Sequence, residues 1–409
     1  MGIVGRVSAR QRGLDAALRR LGQAGGLECE GGEGSRCGHG LGDAGKFVSY
    51  SVLFSSSPYL TCHYILSEFR LMSKTIVLTG ITTTGTPHLG NYVGAIRPAI
   101  EASHDHSVLP FYFLADYHAL IKCIEPERVA RSTLEIAATW LALGLDTDNA
   151  VFYRQSDIPE IAELSWMLSC VTAKGLMNRA HAYKAAVQAN DESGEIDADK
   201  GVNMGLLNYP ILMAADILLF NAHKVPVGRD QIQHIEMARD IGGRFNHIYG
   251  VHFNIPEAVV NEDTAILCGL DGRKMSKSYD NTIPLFLPEK QFRKLIMKIK
   301  TNSLEPGEPK DPDTCTLFGI YKAFAPKDEV AAMRKRYEEG IGWGEMKQFL
   351  FEYLNDHLQE ARERYAALMQ ASDKIECILL EGAEKARAYS VPSMKMIRES
   401  VGIRSLARQ

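Results

Sequence analysis

From Lys74 onward, short apolar runs alternate with longer amphipathic stretches, and this alternation restricts the fold more than any other feature of the chain. Thr75 to Thr79 is a β-branched run, followed by a Gly/Thr-rich turn and a helical pattern from about Asn91 to Ala102. Phe111 to Ala115 reads as a buried strand. Pro126 to Leu143 reads as a helix, with Pro126 at its start and Gly144 just past its end. Val151 to Arg154 is a further strand and Pro159 to Val171 a further helix. Strands separated by helices of this length predict a doubly wound parallel sheet, hence an α/β fold. Helical patterns resume at Gly205–Phe220 and Asp230–Phe245, and from about Glu289 the pattern is almost purely helical. The expected division is an α/β region over 73–288 and a helical region over 289–409.

Composition narrows the classes of function. A length of 409 residues suits two or three domains, with 45% hydrophobic and 23% charged residues. No uncharged apolar run reaches the length of about 18 residues needed to span a membrane. The longest, Tyr209 to Phe220, contains Asp216. A net charge of −4 argues against a dedicated non-specific nucleic-acid binder, although a local basic face can sit on an acidic whole. The eight cysteines show no C-x-x-C spacing, which reads as reduced thiols in a cytoplasmic protein. No HExxH or zinc-like cluster is present, and His104-Asp105-His106 reads as a solvated helix end, so no protein-ligated metal is expected.

Residues 1–72 differ from the rest. Gly25 to Gly45 is glycine-rich and poor in apolar residues, so a poorly structured extension is expected. An Arg-rich start is compatible with a targeting segment, or with translation assigned from too early a start codon, Met72 standing directly before the first strand. Gly40 to Lys46 matches G-x-G-x-x-G and nearly matches a P-loop. No apolar strand precedes it, and Phe47 stands where a magnesium-binding Ser or Thr is needed, so both motifs are rejected. Asn190 to Gly201 carries five carboxylates and is expected to be a solvated, mobile loop.

Three segments carry chemistry. The first strand runs into Thr79-Gly80-Ile81-Thr82-Thr83-Thr84-Gly85-Thr86-Pro87-His88-Leu89-Gly90-Asn91. A strand, a turn of hydroxyl residues and a helix start can bind phosphate through free amides and the helix dipole, although a plain βα turn looks the same. His88 can donate to a phosphate oxygen. The second segment is Lys274-Met275-Ser276-Lys277-Ser278, on a loop introduced by Asp271-Gly272. Ammonium groups on long stems can follow a departing pyrophosphate and stabilise its developing charge. The third is Tyr209 to Leu218, an apolar helix with one carboxylate. A buried Asp needs partners. Either backbone amides cap Asp216, or it accepts an N–H from a ligand held among Met213, Ile217, Val225 and Val227.

His88-Leu89-Gly90-Asn91 resembles the HIGH signature of the class I aminoacyl-tRNA synthetases, with Asn91 at the position of the last His, and Lys274 to Ser278 is identical to their KMSKS signature. Val225 to Glu236 resembles the version of a shared motif found in the tryptophan branch, and Asp116-Tyr117-His118-Ala119 matches that branch's Asp-x-His-Ala. The similarity runs from about Lys74 to Arg404. It implies a Rossmann-like doubly wound parallel sheet with a mainly helical C-terminal domain. It implies ATP contacts from Thr82, Thr83, Thr84, Gly90, Asn91, Gly228, Arg229, Asp230, Ile266 and the whole Lys274–Ser278 loop. It further implies that Asp216, Met213, His118, Gln231 and Gly80 line a tryptophan pocket, and that Lys274, Lys277, His88 and Thr84 serve catalysis. Thr82-Thr83-Thr84-Gly85 departs from the Gln-Pro-Ser-Gly of many bacterial members.

The chemistry expected from this resemblance is attack of the tryptophan carboxylate on ATP, with magnesium carried on the phosphates. Transfer to tRNA(Trp) follows, without a covalent enzyme intermediate. The helical tail is expected to meet the tRNA anticodon, with Lys395, Arg398, Arg404 and Arg408 available to phosphates, and the family implies a homodimer. A tyrosine enzyme, a small nucleotidyltransferase and a non-catalytic paralogue are the competing readings. The helical tail and the apolar Asp216 helix disfavour the first two, and retention of both signature lysines disfavours the third.

Overall fold

A computed structural model describes residues 74–260 and 267–406. The extension at 1–72, with its glycine motif, lies outside them, as do Ile266 and Arg408. The strands are β1 (Thr75–Thr82), β2 (Val108–Ala115), β3 (Val151–Arg154), β4 (Lys224–Pro226) and β5 (Glu257–Val259). They form one sheet of order β3-β2-β1-β4-β5, and every pairing is parallel. The order reverses beside β1, so the crevice between the carboxyl ends of β1 and β4 is the topological switch point.

The longer helices are α1 (Arg97–Ser103), α2 (Pro126–Ala142), α3 (Pro159–Val171), α4 (His181–Glu192), α5 (Met204–Leu219), α6 (Ile232–Tyr249), α7 (Glu289–Lys298), α8 (Thr316–Phe324), α9 (Lys327–Glu338), α10 (Trp343–Gln370) and α11 (Ser372–Ser400). Period-two alternation on β2 separates two cores. Tyr112 and Leu114 join Ile136, Trp140 and the helical tail's Leu317, Phe318 and Leu354 on one face. Phe111 and Phe113 join Ile161, Leu164, Leu218 and Ile235 on the other. Helix α11 runs past the β3 edge and contributes to both, with Ile375 and Leu379 in the first core and Ala386 and Met394 in the second. It approaches so closely that a Cβ on Gly382 would stand 1.7 Å from the Phe152 carbonyl oxygen.

The structure differs from the expectations in four places. Strand β1 continues to Thr82, so Gly80 and Thr82 belong to the strand rather than the turn. The first helix opens with a short turn at Leu89–Asn91 and a π segment at Tyr92–Ile96. The acidic segment is not a bare loop. Its first residues complete α4, and Asn190 Nδ2 donates to the carbonyls of Ala198 (2.8 Å) and Lys200 (2.9 Å), folding the turn back onto the helix. Strands β4 and β5 have three residues each, and β4 ends in Pro226, too little patterning for a strand to be read from sequence.

Candidate active site at the carboxyl edge of the sheet

Parallel strands deliver their carboxyl ends to one edge, and each of the first four is followed at once by candidate residues. Thr83 to His88 follow β1, Asp116 to His118 follow β2, Gln155 and Ser156 follow β3, and Gly228 to Gln231 follow β4.

The β1 turn and the lysine loop meet in a cleft of about 510 Å³, lined by Thr82, Thr84, Gly85, His88, Asn91, Lys274, Met275, Ser276, Lys277 and their neighbours. Backbone bonds hold the two segments together. Leu89 N–H donates to the Ile283 carbonyl (3.0 Å), and Leu285 N–H to that of Pro87 (3.0 Å). Gly85 has φ +126, and a Cβ there would come 3.3 Å from the Lys277 ammonium, so the turn and the second lysine are in contact. Beneath them Glu135 of α2 accepts from Thr86 Oγ1 (2.7 Å) and Arg131 Nε (2.7 Å).

His88 caps the helical turn. Its Nδ1 accepts from Asn91 N–H (3.3 Å), and its own N–H donates to Asn91 Oδ1 (3.2 Å). An accepting Nδ1 leaves the ring proton on Nε2. Burial, and then the nearby Lys277 charge, lower the His88 pKa to about 4, so the ring is neutral at physiological pH. Burial, followed by repulsion from Arg128, holds the Lys277 pKa below the ordinary lysine value.

The lysine loop owes its shape to Asn281, which sequence reading missed. The buried Asn281 accepts from Ser276 N–H (2.8 Å) and donates to Asp271 (2.7 Å) and to the Lys274 carbonyl (3.1 Å). Hydrogen bonds from Asn281 and Arg273 hold the Asp271 carboxyl down to about 2. Met275 is buried beneath the loop, leaving Lys274 and Lys277 on its outer side.

The second constellation centres on Asp216, which is 1% exposed. Side chains, not backbone amides, satisfy it. His118 Nε2 donates to Oδ2 (2.9 Å), and Gln155 Nε2 lies 2.8 Å from Oδ1 and 3.0 Å from Oδ2. Burial raises the Asp216 pKa, against the two hydrogen-bond donors. Nearby, Tyr209 bonds to His234 Nε2, His234 Nδ1 bonds to Gln231 Oε1 (2.8 Å), and Gln231 Nε2 donates to Asp230 (2.8 Å). The His118 ring meets the edge of Tyr209 at 6.4 Å. A cavity of about 520 Å³ opens beside Tyr209, Tyr117 and Leu212.

The structure therefore brings Thr82, Thr84, His88, Asn91 and Lys274 to Lys277 to one cleft, and Asp216 to His118. Gly90 packs against His88 and Met275. Ser278 N–H caps back onto Ser276 Oγ (3.3 Å). Gly228, Arg229 and Asp230 stand together after β4, where Gly228 faces the Asp230 carboxylate. Met213 is half-buried in α5. Three expected residues sit differently. Thr83 is fully buried, has an unpartnered hydroxyl and lines no part of the cleft. Gly80 has the Phe113 ring over its Cα, where a Cβ would come within 2.4 Å of Cζ. Arg398, expected to be free for phosphate, pairs with Glu163 through Nε at 2.6 Å and locks α11 to α3.

Comparison with known proteins places these features in a family. The family model described as tRNA synthetases class I (W and Y) matches residues 72–359. The chain belongs to that family. It is 65% identical over 335 residues to a tryptophan–tRNA ligase of Pseudomonas aeruginosa, covering 81% of this chain and 75% of the relative. It is 59% identical to that of Neisseria meningitidis, covering 82% of this chain and 100% of the relative. The solved structure of a Campylobacter jejuni tryptophanyl-tRNA synthetase, complexed with ADP and tryptophan, superimposes with a TM-score of 0.73 at 42% identity, covering 80% and 100% of the two chains.

Proposed function

We propose that the chain is an ATP-dependent tryptophan–tRNA ligase. The observation that carries this reading is the convergence of the His88 turn and the Lys274–Ser278 loop on one cleft at the sheet's carboxyl edge. In the first step the tryptophan carboxylate attacks the α-phosphorus of magnesium-bound ATP, pyrophosphate leaves, and tryptophanyl-adenylate forms. In the second, a ribose hydroxyl of the terminal adenosine of tRNA(Trp) attacks the activated carbonyl and AMP leaves. The protein positions the reactants and stabilises charge.

Lys274 and Lys277 hold the β- and γ-phosphates, whose charge grows as pyrophosphate departs. Thr84, Thr82 and the Nε2–H of neutral His88 bind the triphosphate turn. Asn91 acts through His88, as its cap. Gly90, Met275, Ser276 and Ser278 shape the nucleotide wall, and Gly228, Arg229 and Asp230 take the ribose. Asp216 accepts the indole N–H, with Met213, His118 and Gly80 around the ring and Gln231 on the α-amino group.

The helical region 289–409 is the surface for tRNA, where Lys395 and Arg404 remain exposed. Leu120 and Met204 are exposed and line one cavity, an apolar surface suited to a homodimer. Among the described residues no helix is long and apolar enough to cross a membrane, in keeping with work in the cytoplasm. Amino-acid-dependent exchange of labelled pyrophosphate into ATP tests the assignment. Exchange with tryptophan and not tyrosine is expected. Exchange with tyrosine alone would overturn the indole pocket, and exchange with neither would overturn the enzyme.

A further inference from the structure

The Asp216 network holds a residue that neither the signatures nor the resemblance assigns. Gln155 is wholly buried at the end of β3. Its Oε1 accepts from Tyr117 N–H (3.1 Å), which fixes the amide's orientation and turns its NH₂ toward Asp216. That NH₂ reaches both carboxylate oxygens, at 2.8 and 3.0 Å. The neighbouring Ser156 N–H donates to Asp116 (3.0 Å), as does Tyr117 N–H (3.1 Å), so the segments after β2 and β3 are stitched together around the same carboxylate.

A carboxylate offers about four lone-pair positions, two on each oxygen. Oδ2 takes His118 and Gln155, whereas Oδ1 takes Gln155 alone. One acceptor position on Oδ1 is therefore left among these side-chain donors, and Gln155 decides which way it faces. We propose that Gln155 is the positioning residue that makes the Asp216 pocket select an N–H-bearing ring, by fixing the carboxylate so that a single Oδ1 lone pair is open to the indole. This rests on the ligase reading and deepens it. Without Gln155, the buried carboxylate pivots about its His118 bond, and ring binding by shape alone persists.

The test compares tryptophan with β-(3-benzothienyl)alanine, which keeps the bicycle but carries sulfur in place of the N–H, in pyrophosphate exchange by the full-length protein. Gln155→Met, close in volume and without donors, should raise the tryptophan KM about tenfold or more, the cost of one hydrogen bond to a buried charge. The kcat should hold within about twofold, and the KM for the sulfur analogue and for ATP should change by less than that. A structural role alone would move both ring substrates together, and that result overturns the proposal. Gln155→Glu guards against misfolding of the first variant. It places two carboxyls about 2.8 Å apart, so the pair must share a proton. Its tryptophan KM should therefore rise with pH where that of the wild type is flat, and a flat profile overturns the proposal. Wild-type protein that exchanges with neither ring substrate would instead overturn the ligase reading itself.

Discussion

Around Lys277 the charged groups face an open cleft, whereas around Asp216 they are dry and already hydrogen-bonded to one another. Both constellations stand at the carboxyl edge of one sheet. The contrast follows from when each is needed. Negative charge on a leaving pyrophosphate appears only during reaction, so its stabilisers gain from long stems, solvent access and a loop that can follow the phosphates. An indole N–H is present in the ground state. It is read best by an acceptor whose desolvation has been met beforehand by fixed partners.

The largest expected effect tests the open side. Exchanging both Lys274 and Lys277 for alanine should lower tryptophan-dependent pyrophosphate exchange by about 10³-fold or more. Tryptophan affinity, measured by equilibrium binding, should stay within about threefold. A large loss of affinity with preserved turnover would reverse the two roles. The dry side gives the converse. Asp216→Ala should raise the tryptophan KM by about 100-fold with little change in the ATP KM. It should also lower stability by about 2–4 kcal/mol, because His118 and Gln155 lose their shared acceptor. Denaturant titration beside kinetics checks both, and unaltered stability would show that Asp216 holds nothing in place.

How these regions read in sequence follows the same division. The lysine loop was legible because five consecutive residues carry its chemistry, and the phosphate turn because strand, hydroxyls and helix start lie in one run. Strands β1, β2 and β3 were legible because each is a continuous apolar or β-branched run. Asp216 stood out as one carboxylate in an apolar helix, but its partners come from 98 and 61 positions away, and no local pattern announces a contact made by tertiary folding. The register was nonetheless available, since Gln155 follows β3 as His118 follows β2. Strands β4 and β5 were illegible because three residues show no period. Asn281 was missed because its work, bonding to loop backbone, leaves no charge or spacing to notice.

His88 links the two designs, being a cleft residue that is itself buried. Its folded pKa of about 4 lies below its ordinary 6.5. Between those values the unfolded chain takes up a proton that the folded chain refuses. The stability tied to neutral His88 is thus full above pH 6.5 and is lost as pH falls toward 4, by at most about 3 kcal/mol. Urea midpoints measured from pH 7 to 4 should fall more steeply for the wild type than for His88→Gln. Parallel curves would mean that His88 titrates normally and that the cleft is wetter than its geometry implies.

The smallest effect sharpens the boundary between a loop that moves and one that is shaped. Asn281 binds the backbone of Ser276 and Lys274 from inside the loop without lining the cleft. Removing it leaves both ammonium groups intact and frees the backbone that carries them. If the lysines act only when the loop holds its turn, Asn281→Ala should lower kcat/KM for ATP about tenfold while the tryptophan KM stays level, because the Asp216 network shares none of its partners. If the stems alone suffice, exchange should be nearly unchanged. The loop would then be a tether, and the division would lie between a preorganised pocket and an adaptable pair of charges. A rise in the tryptophan KM of similar size would show instead that the cleft and the pocket are energetically coupled, with Asn281 acting on both.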